Sequence, residues 1–256
     1  MINLAVDGAE LECWRSAAST MPAETVTSWI PDLWDLVHHG FPVVAASATD
    51  SDLVKHYLAP TFGAYQLVEG RLRAMTAAEV FDLKLGRTLY FSLSDIHSSL
   101  RGRGLYEQLL LLRIAIRRNE GCQWWATRTQ SPSVAHTFAR FGCYPWTDDE
   151  ATSSVAAEVA AMLYDNFDVL GRREGQVFEP KTGVLRAAYP LNVYETIPAV
   201  ENPIVQSHFN DHVDRDLGDA LLLLGRLEVL IETLSPRCRA HFGMPFDQLC
   251  EALKGL

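Results

Sequence analysis

The sequence predicts an α+β protein: a central mixed, mostly antiparallel sheet flanked by helices, followed by a C-terminal extension rich in helix. Three observations carry this. From Tyr65 to His97 three β-textured segments, Ala64–Glu69, Arg71–Leu83 and Arg87–His97, are separated by Gly70 and Gly86, the pattern of an antiparallel meander. From 88 to 142 the pattern reads strand, helix, strand, helix. After Trp146 the chain turns alanine-rich and helical, then glycine- and proline-punctuated, then apolar.

Pro31–His39 reads as a helix with proline at its first position and Gly40 as its stop. His38 and His39 fall in its last turn, where the helix dipole favours them, and no metal role is assigned to them. Phe41–Ala46 is expected to be a short buried strand, and Asp52–Leu58 a short helix. Along Arg87–His97, Leu89, Phe91 and Leu93 should point one way and Tyr90, Ser92 and Ser94 the other. That hydroxylated face reads as a cleft lining or as a solvated face. Gly104–Asn119 is a helix with Leu105, Leu109, Leu112 and Ile116 along one side, closed by Gly121. Cys122–Thr127 is short and apolar enough for a buried strand. Ser131-Pro132 caps a helix carrying Val134, Phe138 and Phe141, which ends at Gly142. Glu150–Phe167 is helical, Val169–Val193 a loop and hairpin region, Asp219–Leu234 a strongly apolar helix, and Phe246–Leu253 a last short helix. Residues 1–167 are read as the core with divergent N-terminal helices and 168–256 as the extension, with a soft boundary in 147–168.

Composition narrows the function. With 48% hydrophobic and 21% charged residues, 256 residues can bury a real core. A net charge of −10 argues against nucleic acid as the main partner. Five cysteines without Cys-x-x-Cys spacing argue against structural zinc or a disulfide framework and fit a reducing cytoplasm. Acidic residues come too early in the N-terminal segment for a signal peptide, and the longest apolar stretch, Ala220–Leu224, is too short to span a membrane. His208 and His212 are spaced i, i+4 among Asp211, Asp214 and Asp216, which reads as a solvated, charged helix start rather than a metal site.

The most informative segment is Ile96-His97-Ser98-Ser99-Leu100-Arg101-Gly102-Arg103-Gly104-Leu105-Tyr106. A strand ends in a loop with two glycines and two arginines, and the loop opens into a helix. Free N–H groups at a helix N-terminus, glycines that let an anion approach, and two guanidinium groups make an anion site.

This segment resembles the core motif of the GNAT superfamily of acyl-CoA-dependent N-acyltransferases. There a strand ends in valine-x-proline, and aromatic-Arg-Gly-x-Gly-Ile-Gly opens a helix. Ile96 stands at the valine, Ser98 at the proline and Leu100 at the aromatic. Arg101, Gly102, Arg103 and Gly104 match directly, Leu105 stands for the isoleucine, and Tyr106 replaces the usual small residue. The family's later helix, Asn-Pro-x-Ala-x-x-Leu-Tyr-x-x-x-Gly-Phe, is similar to the segment from Ser131 to Cys143. The resemblance implies a GNAT-like sheet and acetyl-CoA or another acyl-CoA as co-substrate, its pyrophosphate cradled by Gly102–Tyr106 with Arg101 and Arg103 nearby. Backbone groups near Ser94–Ile96 would receive the thioester and pantetheine, and Ser131 and Phe138 fall at family cofactor-binding positions.

The implied reaction is direct attack of an amine acceptor on the thioester. Asp95 and His97 are base candidates by position, on the opposite face from Ser92 and Ser94 unless a bulge re-aims them. Phe138 stands where the family's acid tyrosine falls, and Ser131 where an asparagine falls, so Tyr144 or a water would serve as acid. Asp95, Tyr144 and Ser94 form the candidate catalytic set, with no metal. The same departures raise an alternative, a GNAT-fold acyl-CoA-binding or regulatory module without turnover. No nucleic acid or membrane span is expected. Asp219–Leu234 is assigned to the core or to a subunit interface, which leaves room for a homodimer.

Overall fold

In a computed structural model the described residues are 2–6, 9–15, 17–46, 48–58, 60, 62–147, 150–167, 174–194 and 199–255. In chain order the elements are β1 (Ile2–Val6), β2 (Ala9–Arg15), α1 (Ala17–Thr20), α2 (Ala23–Gly40), α3 (Pro42–Ala45), α4 (Asp50–Leu53), β3 (Phe62–Val68), β4 (Arg71–Leu83), β5 (Gly86–Ile96) and α5 (Leu105–Arg117). There follow β6 (Trp124–Thr129), α6 (Pro132–Ala139), α7 (Glu150–Asp165), β7 (Val177–Glu179), β8 (Val184–Arg186), α8 (Pro203–His212), β9 (Ala220–Arg226), α9 (Leu227–Leu234), α10 (Cys238–Phe242) and α11 (Phe246–Ala252). The mixed α/β class, with mostly antiparallel strands and accompanying helices, is as expected. Among the described residues no helix is long and apolar enough to cross a membrane.

The chain forms two compact units. The first comprises residues 1–80, 91–122 and 231–256, the second residues 81–90 and 123–230. The soft boundary expected in 147–168 lies inside the second unit.

In the first unit the strands run β1-β2-β3-β4-β5. Cys13 pairs with Ala64 across β2 and β3, and Tyr65 with Met75 across β3 and β4, both antiparallel. One sheet face packs on α2: Trp29 meets Tyr65 with ring centroids 4.9 Å apart, and Leu33, Leu36, Val37, Leu67, Leu72 and Met75 fill the space between. Each such buried side chain contributes about 1.5–3 kcal/mol. The other face meets α5, where the Arg117 guanidinium lies 5.9 Å from the Phe62 ring and that of Arg113 lies 4.3 Å from the Phe91 ring. Asp32 fastens α2 to the start of β4 by accepting from Arg71 and from the Leu72 amide at 2.9 Å.

The second unit carries β6-β9-β8-β7. Trp124 pairs with Arg226, and Trp125 with Gly225. Its core gathers Trp124, Ala126, Tyr144, Val159, Leu163, Phe167, Leu185 and Leu222.

Several expectations are corrected. The second helix begins at Ala23, so Pro31 sits inside it rather than at its start. Pro31 is exposed, while Trp29, Leu33, Leu36 and Val37 are buried, so packing of the apolar stripe outweighs the lost N–H bond. Phe41–Ala46 is not a strand; Pro42 opens the short α3 there. Asp219–Leu234 is not one helix but β9 followed by α9. A run of leucines has no period to separate strand from buried helix, and the pairing with β6 decides. Gly225 fits only without a side chain, since a Cβ there would lie 2.8 Å from the Trp125 indole. The β1–β2 hairpin was not anticipated, and His208 and His212 stand toward the end of α8, not at its start. Phe91 and Leu93 do not share one face. Phe91 meets Arg113 of α5, whereas Leu93 packs with the cluster around α2.

Leu222 and Leu223 point to opposite faces of β9 and both are fully buried. Replacing either by alanine is expected to cost about 2–5 kcal/mol in urea unfolding. A strand with one wet face would tolerate one of the two changes.

Candidate functional site

In the first unit β5 ends at Ile96, a single turn of tight helix follows at Ser98–Leu100, and the loop then opens α5. Gly102 and Gly104 have φ of 77° and 76°, a region that disfavours any residue with a Cβ. Gly104 is the residue before α5, and no side chain caps that thirteen-residue helix. The first bonds of the helix are Glu107 N–H and Gln108 N–H to the Gly104 carbonyl, at 3.1 and 3.2 Å. The N–H groups ahead of them have no side-chain cap.

The two arginines of the loop have different work. Arg101 donates from Nε to the Ile96 carbonyl at 3.1 Å and from Nη2 to the His39 carbonyl at 3.0 Å, so it ties the loop to the end of α2. Arg103 is exposed and pairs with no carboxylate among the described residues. Tyr106 lies beside Arg113, and burial raises the pKa of its phenol. Arg113 itself is buried and pushed down to about 10 by desolvation.

Residues near the C-terminal end of the described chain, which sequence reasoning did not connect with this loop, pack against it. His241 of α10 stands over Gly104, where a Cβ would lie 3.3 Å from its ring, and its carbonyl accepts from Gln108 at 3.2 Å. Arg237 pairs with Glu107 in the first turn of α5 at 3.0 Å.

Asp95 is 4% exposed. Its carboxylate lies against Gly40, where a Cβ would approach Oδ2 to 2.6 Å, and accepts from the Tyr57 hydroxyl at 3.3 Å. Burial raises its pKa to about 7, against the opposing pulls of Arg101 and the Tyr57 hydrogen bond. A carboxyl group poised near neutrality can take a proton at working pH. Ser94 faces the other way, its Oγ 2.9 Å from that of Thr76, so Ser94 and Asp95 are not brought together. Ser92 Oγ is buried with no hydrogen-bond partner.

In the second unit, Ser131 caps α6, its Oγ accepting from Val134 N–H at 3.4 Å. Phe138 is fully buried and stacked on Trp125, with centroids 4.6 Å apart. Tyr144 is buried too, and its hydroxyl donates to the Pro180 carbonyl at 2.5 Å; burial raises its pKa.

No protein-family model matches the sequence, and no curated protein matches it. The fold is similar to solved acetyltransferases. One is an IAA acetyltransferase from Bacillus cereus ATCC 14579, at 11% identity over 84% of this chain and 99% of that one, with a TM-score of 0.42. Another is an aminoglycoside 6'-acetyltransferase type Ii, at 10% identity over 84% and 97%, TM-score 0.42. A third is a GNAT family acetyltransferase from Elizabethkingia anophelis with acetyl-CoA bound, at 13% identity over 86% and 99%, TM-score 0.41. At these identities and TM-scores no residue's role passes from those proteins to this chain.

The Asp95 geometry has a signed consequence. Its folded pKa of about 7 lies above the ordinary 3.8, so its contribution to stability is lost as pH rises from about 4 through 7. Asp95→Asn is therefore expected to match the parent protein near pH 4 and to exceed it at pH 8 by on the order of a few kcal/mol in chemical denaturation. A flat difference across that range would remove the buried carboxyl from the account. Phe138→Tyr is expected to lose about 1–3 kcal/mol in the same assay, because a hydroxyl added to this fully buried ring must leave water.

Proposed function

We propose that the protein is an N-acyltransferase of GNAT type that moves an acetyl or other acyl group from acyl-CoA to an amine. The observation that carries this reading is the loop after β5: two left-handed glycines, a thirteen-residue helix without a side-chain cap, and an exposed Arg103 that pairs with no carboxylate among the described residues. A diphosphate fits that chemistry, since backbone N–H groups and the helix dipole supply partial charge and Arg103 supplies a full one. The GNAT-like sequence motifs at 96–106 and 131–143 name the diphosphate as that of CoA.

In the proposed reaction the nitrogen lone pair of the acceptor attacks the thioester carbonyl carbon. The C–S bond breaks, the thiolate departs with its electron pair, and the amine proton passes through water to the Asp95 carboxylate. Asp95 is too enclosed to touch a bulky acceptor, so a water relay is the route its burial allows. Arg101 positions the loop and Arg103 binds. Tyr144 already donates to Pro180 and Phe138 has no proton to give, so the thiolate takes its proton from water. The acidic chain favours a cationic amine over an anionic acceptor by steering. A cytoplasmic location fits five free cysteines.

The positions of Phe138 and Tyr144 also favour a second reading, a module that binds acyl-CoA without turnover. Calorimetry of the full chain with acetyl-CoA and CoA tests what the two readings share. Saturable binding is expected, weakened about 10- to 100-fold by Arg103→Ala, the loss of one charge-assisted contact. No heat with either ligand would overturn both readings. Thiol release across a panel of amines then separates them, and Asp95→Asn should abolish any release while leaving CoA affinity unchanged.

A further inference from the structure

Three metal-ligating side chains converge in the first unit beside the loop after β5, and the proposed acyl transfer uses none of them. Asp35 and His39 stand one turn apart near the end of α2, and His97 follows β5 directly. His39 Nε2 lies 3.6 Å from Asp35 Oδ1, and His97 Nε2 lies 3.5 Å from Asp35 Oδ2. One ligand atom from each of the three falls within 4.8 Å of the others. The two imidazoles meet edge to face with centroids 4.5 Å apart.

These separations are long for N–H···O hydrogen bonds. They are close to the spacing of donors around a small ion, because bonds of 2.0–2.1 Å in a tetrahedron hold ligand atoms roughly 3.3–3.5 Å apart. Both Asp35 and His97 are also held from behind. Arg73 Nη1 donates to Asp35 Oδ2, the oxygen nearer His97, at 2.5 Å, so Oδ1, which faces His39, is the oxygen offered to an ion, and an ion must draw His97 Nε2 toward it. His97 Nδ1 lies 2.7 Å from Ser99 Oγ, which accepts from it when the ring proton sits on Nδ1 and Nε2 is left for an ion; in that tautomer the contact of Nδ1 with Ser99 N–H at 3.2 Å is given up. Hydrogen bonds to the distal atoms of metal ligands are the usual support of such sites.

We propose that Asp35, His39 and His97 bind a divalent transition-metal ion. Two imidazoles and one carboxylate suit zinc, cobalt or nickel, whereas magnesium and calcium require oxygen donors. His39 is exposed, so the ion can enter from solvent and keep a coordination position open. The positive charges of Arg73 and Arg101 beside the cluster weaken the affinity without removing the donor set.

Chelator-treated full-length protein is titrated with zinc chloride by calorimetry and with cobalt chloride by visible absorption. One ion per chain is expected, with cobalt bands of tetrahedral or five-coordinate intensity. His39→Ala, His97→Gln and Asp35→Asn should each weaken zinc binding by roughly tenfold or more. His38→Ala, one residue from a ligand, and Cys122→Ser, a competing thiol, should leave it unchanged. His39 is a surface residue, so His39→Ala tests the site without risk to the fold, and circular dichroism of the metal-free variants checks the others. The proposal is overturned if zinc does not bind, or if stoichiometric binding survives in both histidine variants or vanishes in Cys122→Ser.

Discussion

The close approach of Gly40 to Asp95 governs the first unit's functional end. The last residue of α2 lies so near β5 that a Cβ would sit 2.8 Å from the Asp95 carboxyl carbon. Only glycine closes the gap, and closing it takes the carboxyl out of water. The raised pKa follows from that contact, and so does the position of His39, which precedes Gly40 and is carried toward His97. Arg101 locks the arrangement from the loop side by donating to the His39 and Ile96 carbonyls. A guanidinium at the C-terminal end of a helix also meets the negative pole of the dipole. One side chain thus joins the end of α2, the end of β5 and the start of the anion loop.

That knot rests on a frame with charges inside it. Asp32, buried in α2, takes hydrogen bonds from Arg71 and from the Leu72 amide, which places α2 against β4. On the other face, α5 sends Arg113 under cover beside the Phe91 ring and the Tyr106 phenol, and among the described residues it forms no ion pair. Desolvation is expensive for such a cation, and its lowered pKa records the expense. The helix that opens the anion loop is therefore held by polar side chains as well as by its leucines. Changes at Arg113 would be felt at the loop through α5.

The sequence made the local features legible and left the long-range ones hidden. The three-stranded meander, the loop with its two glycines and the cap at Ser131 are written in turn residues and short periodicities, and each was found where expected. Pro31 misled because a proline at a helix start and a proline inside a helix look alike until Trp29 and Leu33 are seen to share one buried stripe. The leucines of β9 misled because an unbroken apolar run carries no period, and its partner β6 is far away in sequence. The Asp35, His39 and His97 cluster was out of reach for a similar reason. The i, i+4 pair was visible on α2, but His97 reaches it only through tertiary packing. His241 beside Gly104 needs the same long-range closure.

Binding and chemistry rest on different kinds of atom in this chain, and that explains why one is plain and the other spare. In the proposed function the loop would bind through backbone N–H groups and left-handed glycines, which do not depend on the side chains of Leu100, Leu105 and Tyr106. Proton transfer needs particular side chains in particular places. Phe138 is stacked into the core on Trp125, and Tyr144 has its hydroxyl on Pro180, so neither stands ready to protonate a leaving group. A thiolate is the leaving group that least needs such help, because a thiol ionises not far above neutral pH. An amine attacking an oxygen ester or an amide would demand an acid that these residues do not provide. That Phe138 and Tyr144 offer no acid therefore weighs less against a thioester donor than against an oxygen ester or an amide, which agrees with the proposed acyl-CoA donor.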